Sequence, residues 1–341
     1  MKLVRFLLFP FAILYDLITT IRNIFFDVGI FKSTSFKIPV IVVGNLSVGG
    51  TGKTPQIEYL IRLLKNTYNV SVLSRGYKRK TKGFVLVNKN HSANDVGDEP
   101  LQYFKKYTAI NVAVDENRVE GINNLISKKL PEVILLDDAY QHRKVKGSFY
   151  VLLTKFDDLF TDDYLLPTGN LRESRAGAKR CDIIVVTKCP SNINDSQKDA
   201  IKLKLQKYNK EVFFTTISYA DRISGSEEIS LNTLKDFEVL LITGIANPKP
   251  LLEFLRTKNI NFMHLKYGDH HEFSSKEIVE IKQKFNRINS DKKLILTTEK
   301  DYTRISNKIK ALSFLEIETT FIENKNKFDA LIKAHIQQNR C

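Results

Sequence analysis

The sequence predicts an α/β protein: an α/β/α sandwich, followed by a second, smaller α/β domain and preceded by an amphipathic N-terminal helix. Short apolar runs at 39–43 (PVIVV), 69–74, 133–137, 149–153, 183–187 and 211–217 alternate with amphipathic stretches such as 55–66 and 117–129. Continuous Val/Ile/Leu runs mark strands buried on both faces, hence a mostly parallel sheet wrapped by helices. A polar patch at 220–232 (ADRISGSEEISLN) reads as a boundary, and the pattern then restarts. Strands at 238–243, 261–265 and 293–298, with helices at 248–258 and 276–286, form the second unit, and 326–339 reads as a last helix. The expected division is 1–30, 31–222 and 223–341.

The first thirty residues open with Lys2, Arg5 and the apolar segment Phe6 to Tyr15. No small-x-small cleavage site follows, and Asp16 interrupts the run short of the ~20 apolar residues needed to span a bilayer, so neither export nor a full span is expected. Asp16, Thr19, Thr20, Asn23 and Asp27 recur at three- and four-residue steps, a narrow polar stripe on one helix face. Pro10 fits the first turn, where its missing donor costs little. Such a helix either docks on the protein's own core or lies in a membrane interface. Its terminal position and adjacent basic residues favour the membrane.

Length and composition agree with this organisation. At 341 residues, 43% hydrophobic and 10% aromatic, the chain is globular and long enough for two domains. Its 53 basic and 38 acidic residues leave a net charge of +15, which favours polyanionic partners. Cys181, Cys189 and Cys341 make no C-x-x-C pair and no zinc spacing with the histidines. That argues for a reducing compartment and against a disulfide framework.

The run at 39–43 leads into SVGGTGKTP at 47–55, which makes the larger unit P-loop NTPase-like. Gly49, Gly50 and Gly52 let the backbone of Ser47, Val48 and Thr51 curl and aim its N–H groups at an anion. Lys53 is placed to reach the β- and γ-phosphates, and the Thr54 hydroxyl to ligate Mg²⁺. The strict motif has glycine where this chain has Ser47. A P-loop also needs a carboxylate at the end of a neighbouring strand, and EVILLDDAYQHR supplies Asp137 and Asp138 as metal candidates. Val48 stands where ParA-like ATPases carry lysine, and TKCP at 187–190 lacks the guanine-reading aspartate of GTPases. ATP is therefore the expected nucleotide.

Together these residues resemble one family, tetraacyldisaccharide 4′-kinase, the lipid A kinase of Gram-negative bacteria. The marks are VVGNLSVGGTGKTP (42–55), SRGY (74–77), VGDEP (96–100), LLDDAYQHR (135–143), LPTGNLRES (166–174), GDHHEF (268–273) and TTEKD (297–301). Ser47 matches the family's hydroxyl residue at that position. Ala139–Tyr140 stands where the family usually shows Gly-Phe, and Ser174 where proline is common.

The resemblance implies transfer of the γ-phosphate of ATP, with Mg²⁺, to the 4′-hydroxyl of an acylated disaccharide-1-phosphate lipid. It implies a location on the cytoplasmic face of the bacterial inner membrane, peripheral or monotopic, on an anionic surface that suits the +15 charge. No nucleic-acid partner and a monomer are expected. By motif, Asp98 is the base and His270 its partner, with His271 the local rival. Arg172 and Glu173 line the site, and Arg172 resembles an arginine finger whose alternative is a surface pair with its neighbour. Gln141 and His142 face nucleotide or metal-bound water, and Tyr77 and Arg118 match further family positions. The basic run RGYKRKTK (75–82) is either a solvated tip or a face for membrane or substrate phosphate. Rival readings are a P-loop kinase or ATPase with a soluble substrate, and a nucleotide-switched membrane adaptor.

Overall fold

A computed structural model describes residues 5–339; Lys2 and Cys341, both used above, lie outside the described residues. Twelve strands form one sheet, in the order β10-β9-β11-β12-β8-β7-β6-β1-β5-β2-β4-β3. In chain order the strands are β1 Val40–Asn45, β2 Val70–Ser74, β3 Val85–Leu86, β4 Asn111–Val114, β5 Val133–Asp137 and β6 Phe149–Lys155. They continue as β7 Ile183–Thr187, β8 Glu211–Gly225, β9 Glu238–Thr243, β10 Phe262–Lys266, β11 Lys293–Thr298 and β12 Leu312–Phe321.

The helices of seven residues or more are α1 Phe9–Asp27, α2 Lys53–Leu64, α3 Asp98–Lys106, α4 Arg118–Lys129 and α5 Asp195–Leu205. They continue as α6 Lys249–Thr257, α7 Ser275–Asn286, α8 Glu299–Ile305 and α9 Lys325–Gln338. All strand pairs are parallel except β12–β8 and β3–β4.

The apolar runs become strands because both faces are covered: every residue of β1, β2, β5 and β7 is buried. β1 lies between β5 and β6, with Val43 level with Asp137. That places the phosphate loop and the acidic pair side by side at the carboxyl ends of adjacent strands, where open α/β sheets bind ligands.

Two features differ from the sequence expectation at 222/223. The first six residues of the polar patch belong to β8, whose start pairs with β7 and whose remainder pairs with β12. One strand thus carries the sheet from the larger unit into the smaller, and its polar residues alternate along a half-buried ribbon. Helix α9, grouped with the second unit by sequence, packs Phe328, Ile332 and Ile336 into the core beneath α2, with Tyr59 and Phe213.

Helix α1 inverts the usual amphipathic arrangement. Only Ala12 and Thr19 are buried, while Phe11, Ile13, Leu14, Leu17, Ile18, Ile21 and Ile24 are exposed. By length and composition it is apolar enough to cross a membrane. Its polar stripe faces the protein: Thr19 is buried and Asn23 donates to Glu173, while Tyr15 and Arg22 beside it donate to the Arg172 and Gln141 carbonyls.

Candidate active site

The phosphate loop is shaped by two glycines in left-handed conformation, Gly49 (φ 99°) and Gly52 (φ 84°), the second directly preceding α2. L side chains avoid this region. Neighbouring segments hold the loop: Val48 N–H donates to the Asn170 carbonyl at 2.8 Å, and Thr187 Oγ1 to the Thr51 carbonyl at 2.8 Å. Lys188, second in the TKCP sequence that lacks a guanine reader, donates to the Gly50 carbonyl at 2.7 Å. Sequence reasoning missed this contact. The Thr51 hydroxyl is buried without a partner, as expected of a loop atom reserved for a ligand.

Lys53 Nζ lies 3.2 Å from Asn45 Oδ1 and 3.6 Å from Asp138 Oδ1. Arg172 donates to Asp138 at 2.9 Å, so its ion-pair partner is the acidic pair and not its chain neighbour Glu173. Asp138, at φ 49°, is held below the usual carboxylate range: burial opposes this, but Lys53 and Arg172 outweigh it. Asp137 is the reverse case. Burial, then the charges of Asp138 and Glu99, push it up to about 7.

A carboxylate pair that protein cations only half compensate fits a divalent cation. Among the described residues no cluster of three His, Cys, Asp or Glu could hold a metal alone. Thr54, Asp137 and Asp138 would therefore hold Mg²⁺ only together with ligands from outside the protein.

Glu173 is buried and receives hydrogen bonds from Gln141 at 3.0 Å, Arg180 at 2.8 Å and Asn23 at 3.0 Å. Gln141 reaches the Asn45 carbonyl at 2.9 Å, so Glu173 contacts the loop strand through Gln141. His142 is kept neutral, its pKa lowered to about 4 by burial and by Arg118 and Arg75. Arg118, buried near the acidic pair, leaves Nε and Nη2 unpartnered.

Asp98 opens α3, directly after Gly97. A Cβ on Gly97 would stand 3.1 Å from the backbone of Gly76, so the SRGY and VGDEP segments touch backbone to backbone. Across 172 residues of chain, His270 Nδ1 lies 2.8 Å from Asp98 Oδ2. His270 occupies a left-handed backbone position (φ 56°), its N–H bonded to the Gly244 carbonyl at 3.2 Å. The Tyr77 ring stands edge-on to it at 5.3 Å, which brings the basic run 75–82 alongside. His271 turns away to Glu277 at 2.8 Å.

Sequence reasoning missed Arg304 and Lys300. Arg304 Nε donates to Asp98 Oδ1 at 2.8 Å while its Nη2 bonds Oδ2. Lys300 Nζ meets His270 Nε2 at 3.0 Å. Lys300 stands within a quoted motif, but only docking of α8 on α3 shows where these side chains point.

The family model described as tetraacyldisaccharide-1-P 4′-kinase matches residues 4–337. A tetraacyldisaccharide 4′-kinase of Flavobacterium johnsoniae is 54% identical over 99% of both chains, and that of Flavobacterium psychrophilum 52% over 99% of both. The Bacteroides thetaiotaomicron protein of the same name is 43% identical over 97% of this chain and 93% of its own. The solved structure of LpxK from Aquifex aeolicus in complex with ATP matches with TM-score 0.80 and 30% identity, covering 98% of this chain and 99% of that one. With its phosphate loop, acidic pair and Asp98–His270 contact in one chain, this protein belongs to the tetraacyldisaccharide-1-P 4′-kinase family.

Proposed function

We propose that the chain transfers the γ-phosphate of ATP to the 4′-hydroxyl of tetraacyldisaccharide 1-phosphate, a step of lipid A biosynthesis. The observation that carries the reading, beside family membership, is the Asp98–His270 contact of 2.8 Å across the two units. An alcohol is a poor nucleophile, and a carboxylate beside it accepts its proton as the new bond forms. The acceptor oxygen bonds the γ-phosphorus, the bond to the β–γ bridging oxygen breaks, and ADP leaves with that electron pair. The hydroxyl proton passes to Asp98, which His270 orients.

The backbone of residues 47–52 and the Lys53 ammonium cradle the phosphates, with Gln141 at the loop's edge. Arg172 steadies charge on the transferred group. Thr54, Asp137 and Asp138 would hold Mg²⁺, which would supply neutralisation of phosphate charge. Residues 31–222 bind nucleotide and 223–341 supply His270, and a monomer suffices in this reading.

Helix α1 lies in the membrane interface on the cytoplasmic face of the inner membrane, monotopically. Its polar stripe is committed to the protein and its outward face is apolar. The basic run 75–82, beside His270 through Tyr77, faces the anionic surface or the substrate's phosphate.

The test is purified full-length protein with labelled ATP, Mg²⁺ and tetraacyldisaccharide 1-phosphate in detergent. Label is expected in a lipid product. ATP consumed only with a soluble acceptor, or nucleotide-dependent partner binding without transfer, would replace this reading with one of its rivals.

A further inference from the structure

Helix α8, which begins within the TTEKD segment, docks along α3 through three charged contacts. Glu299 pairs with Lys106 at 2.9 Å, Lys300 with Glu99 at 3.0 Å, and Arg304 with Asp98. Residues 300 and 304 share a helix face, so both reach the first turn of α3.

The Arg304 contact is a two-pronged fork. Nε takes one Asp98 oxygen and Nη2 the other, the planar arrangement that fixes a carboxylate's orientation. Arg304 is itself held. Its Nη1 donates at 3.0 Å to Asp301, which is fully buried and receives Gly244 N–H and Thr298 Oγ1, each at 2.8 Å. His270 is braced on both ring nitrogens: Lys300 Nζ lies 3.0 Å from Nε2, and Arg304 Nη2 lies 3.0 Å from Nδ1, the nitrogen that also meets Asp98 at 2.8 Å.

We propose that Arg304 is a positioning residue of the phosphoryl transfer, fixing the plane of the Asp98 carboxylate and holding His270 beside it. This rests on the reading of Asp98 as the base. Arg304, Lys300 and His270 act on Asp98 directly; around them stand Asp301 against Arg304, Asp269 and Tyr77 against His270, and Glu99 against Lys300. Burial alone would raise the Asp98 carboxyl; Arg304 first, then His270 and Lys300, hold it well below the usual carboxylate range. The base therefore stays ionised although largely buried, and removal of Arg304 lets burial dominate.

The experiment measures kcat, KM for ATP and the pH profile of the full chain in the lipid kinase assay, for wild type, Arg304→Gln, Arg304→Lys and Asp98→Ala. Arg304→Gln is expected to lower kcat by about 10- to 100-fold through misplacement of the base. KM for ATP is expected to stay within about twofold, since uniform nucleotide binding is untouched. The acid limb of the profile is expected to rise by about one pH unit or more. Arg304→Lys, which restores charge without the fork, is expected to recover the acid limb but not the full kcat.

Wild-type kcat and acid limb in Arg304→Gln, with Asp98→Ala inactive, would overturn this inference alone. Wild-type turnover by Asp98→Ala would overturn the base reading beneath it. If Arg304→Gln does not fold, Arg304→Lys decides: a wild-type kcat contradicts the positioning role, and a reduced kcat at unchanged KM supports it.

Discussion

The side-chain amide of Asn23 donates to Glu173 Oε2 at 3.0 Å, tying the apolar N-terminal helix to the wall of the phosphate site. Glu173 is nearly sealed from solvent and carries Arg180 and Gln141 on its other lone pairs. Removing it leaves Arg180 without its carboxylate. Glu173→Ala is expected to destabilise the protein by about 3 kcal/mol, as for a broken, largely buried ion pair. Asn23→Ala, which deletes one hydrogen bond to a charged acceptor, should cost about 1.5 kcal/mol. Denaturant unfolding of both variants measures the difference, and equal costs would refute the role of Glu173 as the hub.

Gly97 has φ 91° and ψ 161°, a region open essentially to glycine alone. Gly97→Ala should cost about 1–3 kcal/mol from backbone strain. Its Cβ also presses on Gly76, which displaces the first turn of α3 and Asp98 with it. Thermal unfolding and kcat are both expected to fall. A stability loss with unchanged kcat would show that Asp98 tolerates the displacement.

Lys106 places one ammonium against three carboxylates: Glu58 at 3.0 Å, Glu299 at 2.9 Å and Glu316 at 2.9 Å. Burial, then the charge of Glu58, push Glu299 up to about 7, from an ordinary value of 4.5. The folded state therefore binds a proton that the unfolded chain releases between these values. Stability from this group is greatest below about pH 4.5 and is lost as pH rises through 7. Glu299→Gln should remove that slope and raise the melting temperature at pH 8 relative to wild type. An unchanged difference in melting temperature between pH 6 and pH 8 would contradict the account.

The outward face of α1 makes a separate prediction. Leu14, Leu17 and Ile18 are exposed, so charges placed there disturb no internal packing. Leu17→Glu with Ile18→Glu should abolish cosedimentation with vesicles of anionic phospholipid. Turnover of detergent-dispersed substrate should stay near wild type. Retained vesicle binding would place the membrane contact elsewhere.

Strands β1, β5, β7, β9 and β11 and the phosphate loop were legible because local physics dictates them. Fully buried strands read as unbroken apolar runs, and a glycine loop before a helix advertises its anion. The Asp98–His270 pairing came from resemblance, since nothing within VGDEP or GDHHEF by itself draws them together. Three features were hidden because they are tertiary. Polar alternation in β8 looks like a linker until β12 pairs with it. The polar side of α1 has no visible partner in the sequence until Tyr15, Arg22 and Asn23 are placed against Arg172, Gln141 and Glu173. Arg304 has no motif of its own, and its meaning depends on α8 lying against α3.

The proposed role of Asp98, oriented by His270, is to accept the proton of the acceptor hydroxyl. Its most direct test is the rate of labelled-phosphate transfer to tetraacyldisaccharide 1-phosphate by Asp98→Ala, beside wild type, with ATP binding measured in parallel. A rate lower by about 10²- to 10⁴-fold, the usual worth of a general base, is expected with ATP affinity retained. Transfer at the wild-type rate by a folded, ATP-binding Asp98→Ala protein would contradict it.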